Sequence, residues 1–192
     1  SYHEKVVAYE ASQGSQHLLE LWSRSINADY GIGIAPEQML ITVGASEALI
    51  FAFMVCCDPG DEILIFDPTY ANYIGFSAIS GVRLVPLPCS LEENFALPTR
   101  EQIEPYISPY TRAVLLCNPN NPTGTPVSIE VIEAIYNATD GIVLVDEAYA
   151  EFAADGTPSA LTLLPGRPRL MVSRTMSKAF AFAGARVGYL AA

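Results

Sequence analysis

Basic side chains are scarce in this chain of 192 residues, and acidic side chains outnumber them by 21 to 10. Lys5 and Lys178 are the only lysines, His3 and His17 are the only histidines, and the formal net charge is −11. Nucleic acid and anionic membrane surfaces repel such a chain, so we expect neither as a partner. An anionic small-molecule substrate is still compatible, because a local patch of Arg or Lys is enough to bind it.

Cysteine is also infrequent, and its spacing indicates neither a disulfide framework nor a metal site. Cys56, Cys57, Cys89 and Cys117 include no C-x-x-C pair, and only two histidines could join them. We therefore expect core thiols and no bound metal. No apolar stretch is long enough to span a bilayer, and the first five residues lack the pattern of a signal peptide. These features predict a cytoplasmic protein.

Apolar residues make up 51% of the chain and charged residues only 16%, which is typical of one well-buried domain. Seven short runs rich in Val, Ile and Leu stand out, most of them bounded by Gly, Pro or Asp. Continuous apolar character of this kind is typical of strands buried on both faces. The predicted strands are residues 39–44, 62–67, 82–88, 112–118, 141–146, 170–175 and 186–191.

Segments compatible with helices lie before and between these runs, at residues 15–29, 46–57, 70–80 and 128–139. Strands that alternate with helices predict an α/β fold, with a mainly parallel seven-stranded sheet covered by helices on both faces. We divide the chain into an N-terminal segment and helix, residues 1–35, and a core, residues 36–192. In such sheets ligands bind beyond the carboxyl ends of the strands, so polar residues at those ends are candidates for a site.

Two such candidates carry charge. Lys178 follows the sixth strand in an apolar and hydroxylated neighbourhood, where burial would lower its pKa and suit it to form a Schiff base. The alternative is an ordinary surface lysine. Asp146 follows four apolar residues and would need a cationic partner, for which a protonated pyridine nitrogen is suitable. The alternative for Asp146 is capping of the next helix.

Three other strand ends carry polar or aromatic residues. Residues 44–47 form a strand–turn–helix corner whose backbone amides and Ser46 hydroxyl could hold a phosphate. Residues 118–124 contain two prolines and a glycine, so they form either a rigid turn or a rigid support for an Asn amide. Tyr70 could stack on a flat cofactor, or it could be a core tyrosine.

Taken in order, these motifs resemble the class I/II aminotransferases, which are fold-type-I enzymes that use pyridoxal phosphate. The motifs are Gly-Ala-Ser-Glu at 44–47, Pro-Thr-Tyr at 68–70, Asn-Pro-Asn-Asn-Pro-Thr-Gly at 118–124, Asp-Glu-Ala-Tyr at 146–149, and Ser-Lys-Ala-Phe at 177–180 followed by Arg186. The resemblance covers roughly residues 9 to 192. It implies the large domain of that fold, and the C-terminal small domain of full-length members is expected to be absent from this chain.

The resemblance implies a role for each matching residue. Lys178 would bond covalently to the cofactor and later move a proton, Asp146 would pair with the pyridine nitrogen, and Tyr70 would stack on the ring. Asn121 and Tyr149 would hydrogen-bond the phenolate oxygen of the ring. The residues expected to hold the phosphate are Ala45, Ser46, Thr175, Ser177 and Arg186. Tyr9 matches a family tyrosine that reaches the site of the neighbouring subunit, which implies a homodimer.

The implied reaction is transfer of an amino group between an amino acid and a 2-oxo acid. The second half of the chain is more similar to histidinol-phosphate aminotransferases and the first half to aspartate-type enzymes, so the expected donor is histidinol phosphate or an aromatic or acidic amino acid. The small domain of the family normally supplies the arginine that binds the substrate carboxylate. Arg174 could meet a substrate anion instead, or it could be a structural ion-pair partner. This chain alone is therefore expected to bind the cofactor and to transaminate poorly.

Other functions are compatible with parts of this pattern. A pyridoxal-phosphate-dependent decarboxylase or lyase of the same fold would use the same cofactor residues. The alternative that is not an enzyme is a truncated fragment that binds the cofactor but has little turnover. A dinucleotide-binding protein is discounted, because no G-x-G-x-x-G motif follows the first strand.

Overall fold

The computed structural model describes residues 9–192 as a sheet with helices packed on it. The strands are β1 (Met39–Thr42), β2 (Glu62–Asp67), β3 (Arg83–Pro88), β4 (Thr111–Cys117), β5 (Ile142–Asp146), β6 (Leu170–Thr175) and β7 (Gly188–Ala191). The α-helices are α1 (Gln16–Tyr30), α2 (Ala45–Cys56), α3 (Asn72–Ser80), α4 (Arg100–Ile103) and α5 (Ile129–Ala138). Short 3-10 helices lie at Pro36–Gln38, Glu104–Tyr106, Ala150–Phe152, Ala160–Leu163 and Ala183–Ala185.

The seven strands form one sheet in the order β1-β7-β6-β5-β4-β2-β3. All neighbouring pairs from β6 to β3 are parallel, whereas β7 runs antiparallel to both β1 and β6. The predicted mainly parallel, seven-stranded α/β sheet is therefore confirmed. Because the strands β2, β4, β5 and β6 point the same way, their carboxyl ends lie at one edge of the sheet.

Helices cover both faces of the sheet, as the continuous apolar strands require. On one face Leu19 of α1 and Ile132 of α5 pack against strand residues in one core cluster. On the other face Leu49 and Phe53 of α2 pack with Tyr73 of α3 in a second cluster. Residues of α1 belong to the first cluster, so this helix shares a hydrophobic core with the sheet. The division of the chain into residues 1–35 and 36–192 stays a prediction.

Some element ends differ from those predicted by the apolar pattern. β1 ends at Thr42 and β7 begins at Gly188, because Gly44 and Arg186 have left-handed backbone angles, with φ of 77° and 52°, that a strand cannot contain. α3 begins at Asn72, two residues later than predicted. The four-residue helix α4 was not predicted, since one turn is too short to show a helical period.

Two further expectations from the sequence were that the cysteines are core thiols and that no segment spans a membrane. Cys57 and Cys117 are buried and Cys56 and Cys89 are partly buried, and all four carry free thiols. Among residues 9–192, no helix combines the length and the apolar character needed to cross a bilayer.

β7 approaches its neighbours so closely that only glycine fits at its first position. A Cβ added to Gly188 would lie 2.6 Å from the carbonyl oxygen of Arg174, 2.7 Å from the carbonyl carbon of Gly44 and 2.9 Å from the amide nitrogen of Ala45. These contacts involve backbone atoms, which cannot move aside without moving a strand or the start of α2. The close approach brings the end of β6 beside the beginning of α2.

We therefore expect Gly188→Ala to destabilise the fold by roughly 1–3 kcal/mol, the usual cost of overpacking a core. Gly184→Ala is the matched control, because nothing lies within 4 Å of the added Cβ there. Urea unfolding followed by circular dichroism measures both variants. Equal unfolding midpoints for Gly188→Ala and the control would show that the approach of β7 is not as tight as described.

Candidate active site

One cavity of about 110 Å³ brings together the polar residues at the carboxyl edge of the sheet. Ten of the eleven residues predicted for the site line it: Ala45, Ser46, Tyr70, Asn121, Asp146, Tyr149, Thr175, Ser177, Lys178 and Arg186. They come from the ends of β1, β2, β4, β5 and β6 and from the segment before β7, which the sheet order places side by side. The eleventh residue, Tyr9, lies outside this cavity and is fully exposed.

One end of the cavity has the properties of an anion site. The N-terminus of the twelve-residue helix α2 opens there, with Gly44 at its N-cap, so backbone N–H groups and the positive end of the helix dipole are available. The Arg186 guanidinium donates to the hydroxyl of Ser177 at 3.2 Å and to the carbonyl oxygen of Val43 at 3.3 Å. The hydroxyl of Thr175 donates to the hydroxyl of Ser177 at 2.9 Å. Such a set of donors suits a phosphate.

The left-handed turn at Gly44 allows the guanidinium to lie this close to α2. A Cβ at Gly44 would be 2.8 Å from Nη2 of Arg186, and its φ of 77° would strain any side chain. Arg186 itself has a left-handed φ of 52°, which turns the chain back into β7. The charge of Arg186 is thus held against the helix start by backbone geometry.

The opposite charge lies deep in the site, at the end of β5. The Asp146 carboxylate is 3% exposed and accepts hydrogen bonds from the Tyr73 hydroxyl at 2.7 Å, the Ser173 hydroxyl at 3.1 Å and the N–H of Ala148 at 3.2 Å. Burial raises its pKa and the neighbouring Glu147 adds to this, while the three hydrogen bonds oppose it; the pKa lies above its usual value. A positive charge in the cavity would therefore be strongly favoured beside Asp146.

Three residues of this region were missed by sequence reasoning. Tyr73 is completely buried, and its ring meets that of Tyr70 edge to face at 5.4 Å between centroids. Ser173 is the register partner of Asp146 on β6. Cys117 lines the cavity, and burial raises the pKa of its thiol to about 12. A signal was present for Ser173, a polar residue inside an apolar strand, and Tyr73 lies three residues after Tyr70.

The loop after β4 contains three asparagines, and the structure shows which of them faces the cavity. Asn118 exchanges two hydrogen bonds with the backbone of Val127, at 2.8 and 3.2 Å, which closes the loop. Asn120 donates to the carbonyl oxygen of Pro68 at 3.1 Å and so ties this loop to the one after β2. Asn121 lines the cavity, with its amide 3.5 Å from the hydroxyl of Tyr149.

Lys178 lines the cavity, and of the two environments that the sequence left open for it, burial and exposure, the structure shows exposure. Its side chain is exposed, as are all residues from 178 to 186, because the connection from β6 to β7 stands above the sheet edge and nothing in the described part of the chain packs over it. The Nζ atom lies 5.1 Å from the centre of the Tyr149 ring. The amine is therefore next to Tyr149 and accessible from solvent.

Arg174 does not line this cavity. Its guanidinium is buried and donates to the carboxylates of Glu147 and Glu151, both at 2.9 Å. Of the two alternatives from the sequence, the geometry favours the structural ion pair.

Comparison with known proteins places this geometry in a family. The model of the family described as aminotransferase class I and II matches residues 3–192. The histidinol-phosphate aminotransferase of Paenarthrobacter aurescens (strain TC1) is 44% identical over 179 residues, covering 88% of this chain and 46% of the relative. Histidinol-phosphate aminotransferase 3 of Burkholderia lata is 43% identical over 163 residues, covering 85% of this chain and 44% of the relative.

Solved structures that resemble this chain are also aminotransferases. The aspartate aminotransferase of Thermotoga maritima superimposes with a TM-score of 0.89 at 32% identity, covering 98% of this chain and 51% of that one. The aromatic aminotransferase of Pyrococcus horikoshii OT3 does so with a TM-score of 0.86 at 28% identity, covering 96% and 51%. The fold is that of the aminotransferases. The chain belongs to the aminotransferase class I and II family, and it spans about half the length of the curated relatives it matches.

The raised pKa of Asp146 predicts that ionisation of this carboxyl destabilises the fold in a pH-dependent way. Because the folded state binds this proton more tightly than the unfolded state does, the destabilisation is absent below the unfolded pKa of about 3.9 and grows as the pH rises through the folded pKa. Asp146→Asn removes the ionisation. We expect its stability relative to wild type to increase as the pH rises from about 4 to about 8.

Urea unfolding at several pH values tests this expectation. Asp155→Asn, which changes an exposed carboxylate, controls for the substitution itself. A stability difference between Asp146→Asn and wild type that does not change with pH would contradict the electrostatic description of Asp146.

Proposed function

We propose that this chain binds pyridoxal phosphate and takes part in the transfer of an amino group between an amino acid and a 2-oxo acid. The observation that carries the proposal is a single cavity with an anion site at the start of α2, a buried carboxylate at Asp146 and the amine of Lys178. These groups fit the cofactor in chemistry, since it has a phosphate, a basic ring nitrogen and an aldehyde. Membership of the aminotransferase class I and II family supports the same conclusion.

Each residue would then act on a different part of the cofactor. When bound, the cofactor supplies a protonated ring that withdraws electrons from the substrate carbon. Asp146 would hold the proton on the ring nitrogen, and Tyr70 would stack on the ring. Asn121 and Tyr149 would hydrogen-bond the ring oxygen. The phosphate would be held by the backbone of Ala45 and by Ser46, Thr175, Ser177 and Arg186.

Lys178 has two tasks in this proposal. Its amine would hold the cofactor covalently until an amino donor displaces it, and the free amine would then take a proton from the substrate Cα and return it to the neighbouring cofactor carbon. Exposure at the rim of the cavity lets Lys178 reach a substrate entering from solvent. The histidinol-phosphate aminotransferases among its relatives favour histidinol phosphate as amino donor, and the aspartate and aromatic enzymes among its structural neighbours make acidic and aromatic amino acids the next candidates.

We propose further that the chain assembles as a homodimer through the exposed sides of α2 and α3. Phe51, Met54 and Val55 lie at helical spacing along α2 and are exposed, Val55 by 80%. Ile74 and Ile79 of the neighbouring helix α3 are exposed by 65% and 70%. Such an apolar surface is typical of an interface. A second copy on this surface would pack along α2, whose N-terminus opens at the cavity, and Tyr9 of that copy is the residue that we expect to reach the phosphate.

Cofactor binding is tested by mixing the purified chain with pyridoxal phosphate. We expect a visible absorption band, fixed by borohydride, and the reduced label on the peptide that contains Lys178. Lys178→Ala should abolish the label on this peptide, because the variant lacks the amine to which the cofactor would bond. Lys5 is then the one lysine that remains in the chain.

Lys5→Arg is the matched control and should leave the label in place. Histidinol phosphate, aspartate and phenylalanine are then added to the complex in turn, and loss of the visible band with formation of pyridoxamine phosphate identifies an amino donor. Absence of the band, or a label on Lys5 alone, would contradict the proposed function.

The homodimer predicts a specific effect of charge on α2. Val55→Asp places a carboxylate within the proposed interface, and we expect the dimer dissociation constant to rise by about 30-fold or more, the effect of losing an interface hot spot of about 2 kcal/mol. Leu91→Asp is the control, since Leu91 is 71% exposed and lies outside α2 and α3. Sedimentation equilibrium measures all three proteins. A monomeric wild type, or equal effects of the two substitutions, would refute this interface.

A further inference from the structure

A buried cluster of charged residues adjoins the two strand ends that carry Asp146 and Thr175. Glu147 directly follows Asp146 after β5, and Arg174 directly precedes Thr175 on β6. The side chains of Glu147 and Arg174 are 2% and 10% exposed. Nε and Nη2 of Arg174 lie 2.9 and 2.8 Å from the same carboxylate oxygen, Oε2 of Glu147. The pair thus links the two strand ends from which the proposed cofactor contacts project.

The remaining polar atoms of the pair are also bound. Arg174 donates to Ser159 at 2.8 Å, to Glu151 at 2.9 Å and to the hydroxyl of Tyr30 at 3.3 Å. Glu147 accepts from the hydroxyl of Ser159 and from the N–H of Ala160, both at 2.6 Å. The guanidinium is committed to these partners and is therefore unsuited to meet a substrate anion.

Stability alone is a weak explanation for such a pair. Removing two charges from water costs about as much as their attraction returns, and apolar residues of the same volume often serve a fold equally well. The charges here have a second consequence because of their location. Glu147 is a carboxylate next to Asp146, and its charge opposes the ionisation of Asp146. Burial by itself would lower the pKa of Arg174, but Glu147, together with the smaller effects of Tyr189, Tyr30 and Glu151, outweighs burial and holds this pKa above its usual value. Arg174 therefore remains charged and offsets Glu147.

We propose that Arg174 is a positioning residue for the cofactor site, which acts through Glu147 by cancelling the charge of that carboxylate beside Asp146. The inference rests on the proposed function, since the group that Asp146 serves is the ring nitrogen of pyridoxal phosphate. It assigns Arg174 an effect on the nitrogen end of the cofactor without any contact to the cofactor.

Two substitutions break the same ion pair but leave opposite charges behind, which separates this role from a purely structural one. R174M leaves the Glu147 carboxylate uncompensated beside Asp146, and we expect about tenfold weaker binding of pyridoxal phosphate, the equivalent of one pKa unit at Asp146. E147Q leaves the positive charge of Arg174, which favours ionised Asp146, and should keep the affinity within about threefold of wild type. The double variant R174M/E147Q should return towards wild-type affinity.

The readout is the dissociation constant from titration of visible absorbance, measured beside the same titration with a ring analogue in which CH replaces the pyridine nitrogen. The analogue cannot pair with Asp146, so R174M should weaken its binding by less than about threefold while weakening pyridoxal phosphate about tenfold. Circular dichroism checks that each variant is folded. If R174M does not fold, R174K replaces it; this variant keeps the charge but loses one of the two contacts to Glu147, and it should retain near-wild-type affinity where R174Q does not.

The outcomes are distinct. Equal losses of affinity in R174M and E147Q, or equal losses for pyridoxal phosphate and the analogue, would overturn the positioning role and leave the proposed function intact. A wild-type chain that binds neither compound would overturn the proposed function itself, and with it this inference.

Discussion

The buried charge of Asp146 is the constraint around which the rest of the site is arranged. Its carboxylate lies at the end of a strand covered on both faces, where ionisation is unfavourable unless hydrogen bonds and a positive charge compensate for it. Tyr73, Ser173 and the N–H of Ala148 supply the hydrogen bonds. A protonated ring nitrogen would supply the positive charge. The carboxylate whose ionisation is opposed by burial is therefore the group that the proposed cofactor would stabilise.

The sheet order provides the opposite electrostatic environment at the other end of the same cavity. β7 lies between β1 and β6, and the absence of a side chain at Gly188 lets it approach the start of α2. The helix dipole and Arg186 then form a positive end opposite the negative Asp146. A flat ligand with an anion at one end and a cation at the other would bind best with its anion at the start of α2 and its cation at Asp146. Orientation of the proposed cofactor thus follows from the topology of the sheet, before any particular contact is considered.

Much of this arrangement was predictable from the sequence, because buried parallel strands leave a continuous apolar pattern and their polar ends lie at one edge. Ten of the eleven candidate residues line one cavity for that reason. The features that the sequence did not reveal also have physical reasons. The burial of Lys178 depends on what covers the segment from 178 to 186, and local sequence carries no such information. The ends of β1 and β7 depend on left-handed turns at Gly44 and Arg186, and an arginine is not an expected residue for such a turn.

The sequence by itself determined the order of strands and main helices, the strand ends that line the cavity, and the family. Only the tertiary structure decided which polar residues face the cavity and which support it. Asn121 faces the cavity while Asn118 binds backbone, and Arg174 pairs with Glu147 while Thr175, its neighbour, lines the site. Neighbours in sequence carry the same local signal, but their partners are far away along the chain. Since hydrogen bonds and ion pairs depend on distances of a few ångströms, their assignment needs the packed fold.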